Sequence, residues 1–307
     1  MSRIFVLGVL FVLSPAAGAA PTASVTAPAP VLELAFDGWR VAYATGRSSR
    51  DCNRVYVWNL MTKAVSRLGR KTHCEQTSTG NSVAQVSIAG TRVLWLHYAG
   101  GNFRDWSLWT ATTTRPAPIR LRRVTREADD AAPIVLGDGD SSRLGDILPY
   151  AVDRTVIALR ANGARRFAWT APARVVALSA LGGELAVATE GGEVTVLDGT
   201  GRVLGHESYA SEIQTVKITG NGLLVQRGRV LELRNAGSPG LWTLPSAARL
   251  EDAEDARAYY VVRGRIYAQS LSGMRTRIVG QGSHGAVEGL TIAVAENRLV
   301  RTLRRTF

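Results

Sequence analysis

Short runs in which apolar and polar residues alternate fill almost the whole chain, and turns containing Gly or Ala separate them. The phrase is clear in FDGWRVAYATG…NRVYVWNL near the start, in LGGELAVATEGGEVTVLDGTG in the middle, and in EDARAYYVVRGRIYAQSLSG near the end. A period of two places successive side chains on opposite faces of a strand, so each run predicts a strand bounded by turns. From Arg174 onward the phrase divides into four: RVVALSA, ELAVATE, EVTVLDG and RVLGHE. Asp198-Gly199-Thr200-Gly201 supplies the flexible turn between the last two, as hairpin chemistry requires. Similar turns recur as RANGA, RNAGSPG and SLSGM.

The turn before each second strand gives seven anchors: Gly38, Gly90, Gly145, Gly183, Gly222, Ala256 and Gly289. A four-strand phrase repeated in this way predicts an all-β fold, a single β-propeller with one blade per copy. Seven blades are expected; a six-bladed ring with an irregular C-terminus is the alternative. Early copies carry insertions and late ones are compact. The last copy, GAVEGLTIAVAENRLVRTLRRTF, lacks an outer strand, and the segment around ASVTAP is a candidate to supply it by pairing the two ends of the chain.

Two repeat families are similar. The first copy, with Phe36-Asp37-Gly38 where Ser/Pro-Asp-Gly is usual, resembles the TolB-like, WD-type bacterial propeller repeat. The fourth copy, LAVATEGGEVTVLDGTGRVL, resembles the pyrroloquinoline-quinone-type repeat. The quinone site itself does not carry over. Those enzymes use adjacent cysteines, whereas Cys52 and Cys74 are far apart, and the blade-docking Trp has counterparts only at Trp169 and Trp242. The WD dipeptide and its His partner are not regular features. The TolB-like resemblance implies a place in a cell-envelope assembly. Its enzyme-linked relatives carry a hydrolase domain after the propeller, so this chain is expected to be non-enzymatic.

The first residues have the form of an export signal. Arg3 is followed by the apolar run Ile4–Leu13, then Ser14-Pro15, and Ala17-Gly18-Ala19 places cleavage after residue 19. The apolar run is too short to span a bilayer, which takes roughly 20 residues. The expected organisation is a signal peptide at 1–19, a Pro/Ala/Thr linker at 20–30 and a propeller from 31 to 307, secreted or periplasmic, with no transmembrane segment after cleavage.

Charge and chemistry refine this picture. Lys and Arg number 37 against 25 Asp and Glu, a formal net charge of +12. Only Lys63, Lys71 and Lys217 are lysines. A basic surface favours polyanions, although so lopsided an Arg excess also fits a biased genomic composition. Export points away from nucleic acid and toward a protein or an anionic envelope polymer, bound by a monomer. Cys52 and Cys74 fall in loops expected on one face beside the first blade, and an oxidising compartment makes a disulfide the simplest reading. Such a loop closure stabilises by roughly 3 kcal/mol. The same face is expected to carry the long loop Tyr98–Asp105 and the segment Arg122–Pro133, and on it Arg50, Arg54, Lys71, Phe103, Arg104 and Trp106 form a candidate basic and aromatic binding surface. The alternative is solvated loop charge with Trp106 and Trp109 packed between blades.

Catalytic signals are weak. Gly137–Ser142 is oxygen-rich, making Asp138 and Asp140 calcium candidates, but it departs from the EF-hand phrase and a polar turn is the other reading. No other metal and no cofactor is expected. His73, His97, His206 and His284 are scattered, and Gly282-Ser283-His284-Gly285 is not a nucleophile elbow. Arg298, Arg301, Arg304 and Arg305 read as solvated edge charge. The expected function is an exported, non-enzymatic propeller that binds through one loop face. The alternative is an extracytoplasmic carbohydrate-active hydrolase or lyase with a central-channel site; such a site needs carboxylates from separate blades.

Overall fold

Each of the seven anchors lies at the connection between the first and second strands of a four-stranded antiparallel sheet. This computed structural model describes residues 21–46, 54–69, 80–234, 240–273 and 275–304. The first strand, β1 (Pro21–Thr26), precedes the ring. Blade 1 is β2 (Val31–Asp37), β3 (Arg40–Thr45), β4 (Arg54–Asn59) and β5 (Val65–Leu68). Blade 2 is β6 (Asn81–Ala89), β7 (Arg92–Gly100), β8 (Phe103–Thr112) and β9 (Ile119–Glu127). Blade 3 is β10 (Ile134–Leu136), β11 (Leu148–Val152), β12 (Thr155–Leu159) and β13 (Arg165–Thr170). Blade 4 is β14 (Val175–Leu181), β15 (Glu184–Thr189), β16 (Glu193–Leu197) and β17 (Val203–Ser208). Blade 5 is β18 (Thr215–Thr219), β19 (Gly222–Arg227), β20 (Val230–Arg234) and β21 (Gly240–Thr243). Blade 6 is β22 (Arg249–Glu254), β23 (Arg257–Val262), β24 (Arg265–Ser270) and β25 (Thr276–Gln281). Blade 7 is β26 (His284–Glu288), β27 (Thr291–Glu296) and β28 (Leu299–Arg304), with β1 as its outer strand. No helix occurs among the described residues, so none there is long and apolar enough to cross a membrane.

Seven blades close the ring, and the two ends of the described chain meet in the last. β1 runs antiparallel to β28, from Pro21 opposite Leu303 to Thr26 opposite Leu299. Beyond the ladder, the Ala27 N–H donates to Arg298 O at 2.6 Å and the Arg298 guanidinium returns a bond to Ala27 O.

The apolar interior is not one core but seven, each wedged between neighbouring blades. Ala42, Val57 and Leu68 of blade 1 meet Ile88, Val93 and Trp95 of blade 2. Leu94, Trp106 and Leu108 of blade 2 meet Ile134, Leu148 and Tyr150 of blade 3. This is why the second strands read as continuous apolar runs: both of their faces are covered. Leu185, Ala186, Val187 and Ala188 of β15 are all fully buried; burying one Leu or Val side chain is worth about 1.5–3 kcal/mol. The outer strands face solvent on one side and alternate, as in β17 and β21.

Candidate functional site

The first strands of all seven blades run in the same direction around a central channel, so a residue's place along its strand sets its depth. The channel holds a cavity of about 430 Å³ lined by eight carboxylates and two basic side chains. They fall into three tiers.

The first tier lies at the strand ends. Asp37, Glu254 and Glu288 each end a first strand and reach toward the first turn of the next blade. The Gly90 N–H donates to Asp37 at 2.6 Å and the Gly289 N–H to Glu254 at 2.8 Å. The Gly38 N–H donates to Glu288. Gly38 and Gly289 hold φ near +57° and +56°, a left-handed conformation that favours glycine. Asp140 does the same for blade 4, accepting from Gly182 N at 2.6 Å and from Ser142 N at 2.7 Å. These carboxylates latch blade to blade. Burial, followed by the charges of Asp37 and Glu254, pushes Glu288 up to about 7.

The middle tier centres on Lys217 of β18. Its Nζ lies 2.7 Å from Asp138 Oδ2 and 3.6 Å from Asp252 Oδ1, with only 7% of its side chain exposed. Asp252 in turn accepts from Val287 N at 2.7 Å and Ala253 N at 2.8 Å. Burial opposes the ammonium, but Asp138 and Asp252 outweigh it and hold the lysine pKa above its usual range.

The outermost tier joins blades 1, 6 and 7. Arg249 Nε donates to Glu251 Oε1 at 2.5 Å, and an Nη donates to Ser283 O at 3.0 Å and meets His284 Nδ1 at 3.2 Å. Gly285 N donates to the other Glu251 oxygen. Burial, reinforced by Arg249, lowers His284 to about 4, so this imidazole is neutral and accepts. Glu33 of β2 lines the same tier, and no hydrogen bond reaches its carboxylate among the described residues. Burial pushes it up to about 8, with Arg249 opposing and Glu251 adding.

These shifts set a pH dependence. A carboxyl raised above its ordinary 4.5 binds its proton more tightly folded than unfolded, so Glu33 and Glu288 contribute stability at low pH that is lost as pH climbs through about 7 and 8. His97 and His284, lowered from 6.5 to about 4, act oppositely and only below about 6.5. Melting temperature is therefore expected to peak on the slightly acidic side and to fall toward about pH 8.5. Glu33→Gln should flatten the alkaline fall; an unchanged profile would place the titration elsewhere.

The structure distributes the candidates read from sequence. Asp138 and Asp140, expected as calcium ligands or a polar turn, spend their oxygens on Lys217 and on turn N–H groups. Among the described residues no group of three or more His, Cys, Asp or Glu is placed to hold a metal. Trp106 is 5% exposed and packs into the core between blades 2 and 3, so it offers no surface for stacking. The reason is parity: Trp106 and Leu108 share the face of β8 turned to blade 3. Phe103 is 62% exposed at the tip of the β7–β8 hairpin. Beside it the Arg104 guanidinium lies 5.2 Å over the Tyr98 ring. Arg54 begins β4 on the neighbouring blade and is half-buried. Arg50, Lys71, Cys52 and Cys74 lie outside the described residues, as does the expected signal segment.

Of the stretches expected as insertions on this face, Tyr98–Asp105 is mostly strand, and Arg122–Pro133 is strand as far as Glu127. β7 and β8 extend each other as far as Gly100 opposite Arg104, and β9 pairs with β8 along nine residues, so blade 2 has the longest strands in the ring. Its outer strand exposes Arg120, Arg122 and Arg123. Arg123 pairs with Asp105 at 2.5 Å, and half-buried Arg126 pairs with Asp153 at 3.0 Å. Arg120 lies 5.7 Å over Trp109.

The fold and its channel define the class: the chain is a seven-bladed β-propeller. It is similar in structure to a chain of the mitotic checkpoint complex, at 14% identity and a TM-score of 0.58, covering 98% of this chain and all of that one. It is likewise similar to Saccharomyces cerevisiae Sqt1, at 10% identity and a TM-score of 0.54, covering 94% of this chain and all of that one. No protein-family model matches the chain, and no curated protein matches it.

Proposed function

We propose that this chain is an exported, monomeric binding propeller without catalytic activity, and that it holds a protein or an anionic envelope polymer against blade 2. The observation that carries this reading is the arginine-rich flank of that blade. β9 exposes three arginines along one extended outer strand, with Phe103 and Arg104 at the hairpin tip above it. Arg120 and Arg122 make no salt bridge among the described residues, although the charge of Arg120 helps to hold Asp105 below the usual carboxylate range. Exposed guanidinium groups on a rigid strand suit carboxylate, sulfate or phosphate groups, which they meet through paired N–H donors. The TolB-like phrase of blade 1 and the signal-like first residues support an envelope setting.

The carboxylate-lined channel favours a second reading, a carbohydrate-active enzyme. Glu33 has the raised pKa of a general acid. Its tier-mate Glu251, however, is spent on Arg249 and Gly285, leaving no second free carboxylate beside Glu33 to serve as base or nucleophile.

The test compares the wild type with R120E/R122E for binding to polyglutamate and to a polyuronate at low and moderate salt. Loss of about tenfold or more in affinity, together with weakening by salt, is expected for the double variant. R277E, on the outer strand of blade 6, should bind like the wild type. Equal binding by all three proteins would sink the proposal.

A further inference from the structure

We propose that the outermost tier of the central channel binds the ammonium or guanidinium group of a small organic cation, with Glu33 as its counter-ion. The site is distinct from the blade 2 flank and stands whether or not that flank has a partner.

The first argument is the segregation of charge. The chain as a whole carries +12, with 37 basic and 25 acidic residues. Yet eight of those acidic residues, and only two of the basic ones, line this one cavity. Composition alone would fill the cavity with arginine.

The second argument is what each carboxylate already does. Asp37, Asp140, Glu254 and Glu288 are occupied by turn N–H groups of neighbouring blades. Asp138 and Asp252 flank Lys217. Glu251 is held by Arg249 and Gly285. Glu33 alone has no hydrogen bond among the described residues, and it faces the cavity. A carboxylate removed from bulk water without a donor is costly. A proton relieves that cost, and so does a bound cation.

The third argument concerns size and shape. A cavity of about 430 Å³ lies within the range of small-molecule sites. Phe36 is the only Phe, Tyr or Trp on its wall. An aromatic cage of the kind that holds quaternary ammonium groups is therefore missing from the wall. Selectivity should instead come from N–H donation to Glu33. Lys217 beneath and Arg249 at the rim place positive charge on either side, which favours a ligand with one cationic head.

The charged groups facing Glu33 are Arg249 and Glu251 of β22, and His284 of β26 lies against Arg249 on the same wall. Because Glu33 sits near 8 in the free protein, it must release its proton when a cation binds at neutral pH.

The experiment is calorimetric titration of the folded protein at pH 7 with agmatine, choline and the tripeptide Gly-Arg-Gly, in two buffers of different ionisation enthalpy. Agmatine is expected to bind saturably with release of close to one proton, and choline at least about tenfold more weakly. Glu33→Gln should weaken agmatine about tenfold or more and abolish the proton release, while its melting temperature reports that it stays folded. Tighter binding of the tripeptide than of agmatine would assign the cationic head to a peptide, and the reverse would assign it to a free amine; either supports the site. R120E/R122E should bind agmatine like the wild type, which separates this site from the blade 2 flank. No saturable binding of either guanidinium probe, or binding that Glu33→Gln leaves intact, overturns the proposal.

Discussion

A chain that begins at Val31 is expected to lose about 10–20 °C of melting temperature, or to aggregate, because it lacks the strand that closes the ring. β1 contributes the outer ladder of blade 7, and residues just after it, Ala27 and Ala29, are buried between blades 7 and 1. The ladder pairs five residues of β1 with β28; at about 1 kcal/mol for each pair they amount to roughly 5 kcal/mol, and for a chain of this size each kcal/mol moves the midpoint by about 2–4 °C. Loss of β1 would also bare the backbone edge of β28, a template for pairing with another chain. Calorimetry of the shortened protein, with and without a synthetic peptide of residues 21–30, decides the matter. Recovery with the peptide is expected; a shortened chain that melts like the full one would mean the ring closes without β1.

Lys217→Met should be nearly as damaging. Among the described residues the ammonium is the one cation within ion-pair distance of Asp138 and Asp252, and all three groups face the same stretch of channel. Removing one partner of a buried ion pair typically costs about 3–5 kcal/mol, because the remaining charge stays behind without compensation. The cost should therefore be mostly recoverable: adding Asp138→Asn and Asp252→Asn to Lys217→Met should restore a large part of the lost stability in denaturant melts. A triple variant as unstable as the single one would show that Lys217 matters for its packing and not for its charge.

The architecture was legible because a blade is a local object repeated. The four strands read in LAVATEGGEVTVLDGTGRVL and its flanks match β14 to β17 to within one or two residues at their ends, and each turn anchor falls where a first strand hands over to a second. Blade 2 was misread in part because Gly100-Gly101 and the polar residues around it resemble a loop. In the fold Gly100, at φ near +124°, forms a tight hairpin that lets two long strands continue to pair. For Trp106 the sequence allows either a surface or a place between blades; once Phe103–Thr112 is a strand, its alternation puts Trp106 and Leu108 together on the side buried between blades. The channel was illegible for a different reason. Lys217 and Asp138 are 79 residues apart in the chain, and Glu33 meets Arg249 and Glu251 only because blades 1 and 6 both flank blade 7 around the axis. The one local signal was polar residues interrupting otherwise apolar first strands, as at Glu33, Lys217 and Asp252.

The pairing of Pro21 with Leu303 sets how the ring responds to a pull. Both ends of the described chain leave from the same corner of blade 7, and β1 and β28 run in opposite directions away from it. Tension between the two ends would load their hydrogen bonds one after another, in the manner of a zipper, and not all together in shear. A ring that resists heat through seven wedges of apolar packing would thus open under modest force at a single seam. The same proximity of the ends means that a short linker could join them, and the chain could be reopened at a surface turn in another blade without disturbing any blade's four strands.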